Sequence, residues 1–226
     1  MKDDIKAVIF DMDGLMFDTE RVYVEAMDYI GEKIGLGKLG YIVRKTLGMN
    51  RSSARKVWID ELGENYDEEV INREIIIYYT EYYKNNTVPV KYGLYELLEY
   101  LEENNYKIAL ASSSEKEIII RHLKETNIDK YFSVIVSGED FEVSKPNPDI
   151  YLKACELLKE EPKNCIALED SKNGLLAAHN AGCRPVMIPD LYEAEDKIIK
   201  ILYRKFDSLK GVVNLLKDWK KKGDKI

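Results

Sequence analysis

Only two histidines, His122 and His179, occur in the 226 residues, both inside helical patterns. This argues against a hydrolase built on a catalytic histidine and against a zinc site of several imidazoles. Cysteine is nearly as scarce. Cys155, Cys165 and Cys183 stand 10 and 18 residues apart with no C-x-x-C pair and no histidine cluster beside them, so they read as buried apolar residues. No apolar run approaches the ~20 residues that span a bilayer, and the opening MKDDIKAVIF lacks the apolar stretch of a secretory signal, which predicts a cytoplasmic protein without a membrane partner. Positive charge is in deficit: 34 Lys and Arg against 41 Asp and Glu give a net charge of -7. Broad attraction to nucleic acid is not expected, and a small anion would need focused local charge.

What is present is an ordinary globular composition, 45% hydrophobic and 33% charged, in a chain long enough to bury a substantial core. Short apolar runs recur: AVIF at 7–10, KIALA at 107–111, SVIVS at 133–137, CIAL at 165–168 and PVMI at 185–188. Their continuous apolar character predicts strands buried on both faces. Between them lie helical stripes, such as Leu94, Leu97, Leu98 and Leu101, or Tyr151, Ala154, Leu157 and Leu158 behind the capping sequence Asn147-Pro148-Asp149. Strand followed by helix, repeated, predicts an α/β fold with a parallel sheet and helices on both faces.

Residues 18–86 break the rhythm with helical patterns and no convincing strand, which predicts an all-helical insertion, with 1–17 and 87–226 forming the core domain. The tyrosines and isoleucines of REIIIYYTEYYKNN recur at helical spacing and read as core of that insertion. The basic segment KDWKKKGDK near the end reads as a solvated terminal helix.

In an open parallel sheet, ligands bind beyond the carboxyl ends of the strands. Four of the five apolar runs lead there into useful groups: Asp11 and Asp13 in FDMDG, the serines at 112–114, Lys145 in SKPNPD, and Glu169 with Asp170. Several carboxylates facing one cleft would repel one another and hold protons unless a cation neutralised them. Oxygen ligands without histidine or thiolate suit Mg2+. A calcium loop of the EF-hand type needs glycine at its sixth position, whereas here Gly14 is fourth from Asp11. The S-x-x-E pattern of Ser114 and Glu117 predicts a capping box, which would put the 112–114 turn at a helix N-terminus, a favourable place for phosphate.

The segments DMDGLMFDTE, SSS, SKPNPDIY and EDSKNGLLAAHNAG, in this order, resemble the four motifs of the haloacid dehalogenase-like superfamily, and their spacing resembles its beta-phosphoglucomutase-like subfamily along the whole chain. The resemblance implies a Rossmann-like core with a helical cap inserted after the first motif. It implies that Asp11 attacks phosphorus and that Asp13 acts as general acid and base. It assigns the phosphoryl group to the serine turn (Ser112, Ser113) and Lys145. It assigns Mg2+ to Asp11, the Asp13 carbonyl and Asp170, with Glu169 ligating directly or orienting that shell. Arg51 resembles a substrate residue of the cap, and Thr19 falls at the hinge. The histidine that beta-phosphoglucomutases carry in the first cap helix is Tyr23 here. The leading expectation is hydrolysis of a small phosphomonoester such as a sugar phosphate, by a monomer. Sugar-phosphate mutation is the second, and a catalytically silent binding protein the third.

Overall fold

A computed structural model describes residues 5–46 and 51–223, except for the side chains of 51–53 and 220–223. Six strands, β1 (Ala7–Phe10), β2 (Lys107–Ser112), β3 (Val134–Ser137), β4 (Cys165–Glu169), β5 (Arg184–Met187) and β6 (Arg204–Lys205), form one sheet in the order β3-β2-β1-β4-β5-β6. Every pairing is parallel. Five of these strands coincide with the apolar runs. The sixth, two exposed basic residues at the sheet edge, has no apolar pattern to announce it.

The helices are α1 (Thr19–Lys33), α2 (Gly40–Thr46), α3 (Arg51–Leu62), α4 (Glu68–Asn85), α5 (Leu94–Glu103), α6 (Lys116–Glu125), α7 (Asp149–Leu158), α8 (Lys172–Asn180), the single turn α9 (Asp196–Ile199) and α10 (Leu209–Gly223). Successive strand residues point to opposite faces of a sheet. Val8, Phe10, Ile108, Leu110, Ile166 and Leu168 accordingly meet the leucines of α5 together with Ile119, Leu123, Leu209 and Val212 in one core. Ala7, Ile9, Ala109, Ala111 and Ala167 face the other way and meet Tyr151, Ala154 and Leu158 of α7 and Ala177 and Ala178 of α8. The small side chains on this second face let α7 and α8 approach the sheet closely. The first core is held by large aliphatics: Leu97→Ala there would cost about 2–5 kcal/mol in lost burial and cavity formation.

The three cysteines are buried and unbridged, with Cys155 Sγ 3.6 Å from Cys165 Sγ and 3.7 Å from Cys183 Sγ. The terminal helix α10 is only in part the solvated element expected, since Leu216 is buried and Trp219 packs 5.7 Å from Tyr203.

Helices α1 to α4 form the inserted cap, with an apolar cluster of their own around Met27, Ile30, Leu39, Ile42, Trp58 and Ile71. The reading of the α4 stripe as core holds for one face of the helix only, Tyr83 also packing against the sheet core. Ile71 is its one buried residue, Ile75 and Tyr78 are partly buried against the cap cluster, and Ile76 and Ile77 are 67% and 49% exposed. The rings also pair along the helix at i, i+4, Tyr78 with Tyr82 at 6.0 Å and Tyr79 with Tyr83 at 5.8 Å, both near parallel. Helical spacing identifies a shared face but not what covers it.

The chain crosses between sheet and cap twice, and the crossings are stitched together. Asp18 N donates to Pro89 O at 2.8 Å, and Lys91 N donates to Met16 O at 2.9 Å. Among the described residues no helix is long and apolar enough to cross a membrane.

Candidate active site

Strand order reverses at β1. Chain order runs from β1 outward through β2 to β3, then returns to β4 on the opposite side of β1. The crevice at such a switch point is the expected ligand position, and Asp11, Glu169 and Asp170 lie at its carboxyl edge. Asp11 N donates to Leu168 O at 3.0 Å, which fixes the end of β1 against β4. The following loop curls back on itself, Met16 N donating to Met12 O and Gly14 N to Phe17 O, both at 2.9 Å. Gly14 sits at φ +78°, and a Cβ there would overlap the Asp170 carboxylate. The glycine thus serves both the turn and the close approach of the second acid.

Lys145 ties three strand ends together. Its Nζ donates to Asp11 Oδ1 at 2.6 Å, to Ala111 O at 3.0 Å and to Glu169 Oε1 at 2.7 Å. All three ammonium hydrogens are committed within a buried site. Burial alone would lower the Lys145 pKa, but Asp11 and Glu169 reverse this and hold the proton on.

Asp11, Glu169 and Asp170 each offer an oxygen within 4.8 Å of the others. Burial, opposed by Lys145 and reinforced by Glu169, pushes the Asp11 carboxyl up to about 8. Burial, then Glu20, Asp11 and Glu169, hold the Asp170 pKa well above the carboxylate range. Asp170 Oδ1 is buried without a hydrogen-bond partner among the described residues. A buried, unpartnered oxygen beside a second acid is what a hard cation would satisfy, and the donor set is all oxygen. Glu169 differs from Asp170: Lys145 and Tyr151 donate to its Oε1, at 2.7 and 2.6 Å, and Ser171 Oγ donates to Oε2 at 3.1 Å.

Asp13 is held from two sides. Thr19 Oγ1 donates to Oδ1 at 2.8 Å, and Ser114 Oγ donates to Oδ2 at 2.5 Å. The expected capping box is therefore overturned: α6 begins at Lys116 behind Glu115, without a side-chain cap, and the Ser114 hydroxyl is spent on Asp13. Ser112 is buried at the end of β2 and its Oγ accepts from Ser114 N at 3.0 Å, while Ser113 is exposed. Asn147 Oδ1 accepts the Asp149 amide at 2.9 Å at the start of α7, as its capping sequence predicts. Arg51 begins α3, and its side chain lies outside the described residues.

Three site residues, Tyr151, Glu20 and Asp190, are not assigned by the sequence, while Ser114, expected in the phosphate turn, holds Asp13 instead. Tyr151 is masked by its place in an apolar stripe. Glu20, in DTE, and Asp190, after β5, come within 4.8 Å of Asp170 as a second acidic group. Burial, Asp190 and Asp13 push Glu20 up to about 8. Asp190 Oδ1 also accepts from Lys91 Nζ at 2.7 Å and Arg21 Nη2 at 3.0 Å, one from each cap crossing. The only signal for Glu20 was its neighbour Thr19; the position of Asp190 past a strand end was a signal left unused.

Against this geometry, the family model described as haloacid dehalogenase-like hydrolase matches residues 8–188. The chain belongs to that family. This haloacid dehalogenase-like hydrolase is 33% identical over 183 residues to the phosphorylated carbohydrates phosphatase of Thermotoga maritima, covering 79% of this chain and 82% of that one. It is 30% identical over 196 residues to hexitol phosphatase B of Escherichia coli, covering 82% and 84%. Among solved structures, beta-phosphoglucomutase from Clostridium difficile superposes with a TM-score of 0.74 at 25% identity, covering 96% of this chain and 98% of that one. These neighbours put the hydrolase in the beta-phosphoglucomutase-like branch, with its Rossmann-like core and helical cap.

Proposed function

We propose that this chain is a Mg2+-dependent phosphatase that hydrolyses a small phosphomonoester, a phosphorylated sugar or sugar alcohol, through an aspartyl-phosphate on Asp11. The observation that carries the reading is the contact of Lys145 Nζ with Asp11 Oδ1 at 2.6 Å beside the unpartnered Asp170 oxygen. It joins a carboxylate nucleophile, a fixed cation for the phosphoryl oxygens and a ligand awaiting a metal. Asp11, Asp170 and the Asp13 carbonyl would hold Mg2+, which supplies charge neutralisation when bound.

In the first step a carboxylate oxygen of Asp11 attacks phosphorus, the phosphorus to ester-oxygen bond breaks, and Asp13 gives its proton to the leaving oxygen. In the second, water attacks the same phosphorus, Asp13 takes the water proton, and the bond to Asp11 breaks to release phosphate. Lys145 and the Ser112 and Ser113 turn bind the transferring group, and Thr19 and Ser114 orient Asp13. The cap, at about 18–86, covers the site and selects the substrate, with Arg51 among its candidate contacts. The protein works in the cytoplasm as a monomer.

Sugar-phosphate mutation is the second reading, favoured by the beta-phosphoglucomutase neighbour. Tyr23 weighs against it. Burial and Tyr66 raise its phenol pKa, so it cannot exchange protons as an imidazole would. A panel of phosphorylated metabolites, scored for both phosphate release and isomer formation, separates the two. Phosphate without isomer is expected, and an isomer formed with a bisphosphate primer would assign the chain as a mutase.

A further inference from the structure

Tyr151 belongs to the apolar stripe of α7, and its ring is fully buried against the small-residue face of the sheet. Packing alone would be served by phenylalanine, and burying a hydroxyl costs free energy unless it finds a partner. The partner is specific. Tyr151 OH donates at 2.6 Å to Glu169 Oε1, the oxygen that also accepts from Lys145 Nζ at 2.7 Å. Lys145 Nζ stands 5.1 Å from the centroid of the same ring, within cation-π range. Ser171 takes the other oxygen, Ser171 Oγ donating to Oε2 at 3.1 Å.

We propose that Tyr151 is a positioning residue: its hydroxyl turns Glu169 toward Lys145 and away from the cation ligands, so that Glu169 aims the phosphoryl-binding lysine and Asp170 serves the metal. Glu169 and Asp170 are consecutive, both buried and both within 4.8 Å of Asp11. An unrestrained Glu169 would compete with Asp170 for the cation and leave Lys145 one fixed partner fewer. The tyrosine divides the labour of the pair. The direct-ligand role for Glu169 gives way on this account to an orienting one.

The inference rests on the phosphatase reading, and its test separates the two. Orthovanadate, a mimic of the transferring phosphoryl group, is titrated calorimetrically in Mg2+ into the parent, Tyr151→Phe, Glu169→Gln and the double variant, alongside kcat and KM for an aryl phosphate. Tyr151→Phe is expected to weaken vanadate binding and lower kcat about tenfold, the worth of one hydrogen bond to a charged group. Mg2+ affinity should not fall, because a Glu169 freed from the hydroxyl can only add to the cation's ligands. In the Glu169→Gln background the same change should cost less than about threefold, because the hydroxyl acts through that carboxylate. Unchanged vanadate affinity in Tyr151→Phe, or full additivity of the two changes, overturns the proposal. Should Tyr151→Phe fail to fold, Glu169→Gln decides: under the proposal it weakens vanadate at least tenfold with Mg2+ affinity retained, and loss of Mg2+ binding instead overturns it. A parent that releases no phosphate from any metabolite refutes the phosphatase reading, whereas the vanadate comparison judges Tyr151 by itself.

Discussion

The carboxylate of Glu169 fills the space in which a side chain on Gly174 would begin. Gly174 stands in the first turn of α8, where its N donates to Ser171 Oγ at 3.1 Å, and Ser171 in turn holds Glu169. Alanine would normally favour a helix over glycine by about 1 kcal/mol. Here Gly174→Ala must displace Glu169, so we expect a net loss of about 1–3 kcal/mol from overpacking and a fall in kcat. Thermal melting and turnover of the purified variant check this, and a stabilised, fully active variant would contradict it.

Lys145 is the sole basic group in contact with the buried Asp11 and Glu169 among the described residues. Lys145→Ala leaves two buried acids without it, a change expected to cost about 3–5 kcal/mol. Protonation can relieve that penalty. The deficit in melting temperature relative to the parent should therefore be smaller at pH 5 than at pH 8, and an equal deficit at both would argue against a charged pair.

Metal and pH should act against each other on stability. Asp11 and Glu20 are raised from 3.8 and 4.5 to about 8. A carboxyl raised by folding binds its proton more tightly in the native state, so its stabilising contribution is full below the unfolded value and is lost as pH rises through the folded one. Without metal, stability should fall between about pH 4 and 8 from these groups. Added Mg2+ should raise the melting temperature more at pH 8 than at pH 6, and an equal increment at the two would separate the cation from the acids.

Ser114 reaches Asp13 from the end of a different strand. Ser114→Ala removes one of two hydroxyls that orient this acid, a loss worth roughly 1 kcal/mol. We expect kcat to fall about fivefold, with KM and the melting temperature little changed. A rise in KM with kcat intact would place the serine on the substrate instead.

Much of this was legible in the sequence because strand ends announce themselves. Asp11, Glu169 and Asp170 follow apolar runs directly, and parallel pairing with β1 at the centre brings those ends together. Lys145 lies eight residues past β3, yet its side chain returns to the Ala111 carbonyl beside β1. What escaped was a choice between two satisfied states of the same residue. Ser114 can cap a helix or hold an acid, and only the proximity of Asp13 decides. Tyr151 packs like any core aromatic, and its hydroxyl matters because Glu169 stands opposite. The α4 tyrosines show a periodic stripe only part of which meets a core, Tyr78 against the cap cluster and Tyr83 against the sheet core, while the rings also pair along the helix.

Asp190 connects the acidic site to the cap crossings. Its side chain is fully buried, yet it accepts from Lys91 and the half-exposed Arg21. Asp190→Asn should lower stability by about 1–3 kcal/mol, mainly through the less exposed lysine. Limited proteolysis of the 86–91 crossing should quicken in parallel, and unchanged cleavage would deny the contact a hinge role.

The central claim is a phosphoryl group carried on Asp11. The enzyme turning over an aryl phosphate with Mg2+ is quenched in acid, and its peptides are read by mass spectrometry. The account predicts one added phosphoryl mass on the peptide containing Asp11, absent in Asp11→Asn. A parent that turns over with the phosphoryl group on another residue, or with none on any peptide at a quench time when the product burst shows intermediate has accumulated, would contradict it.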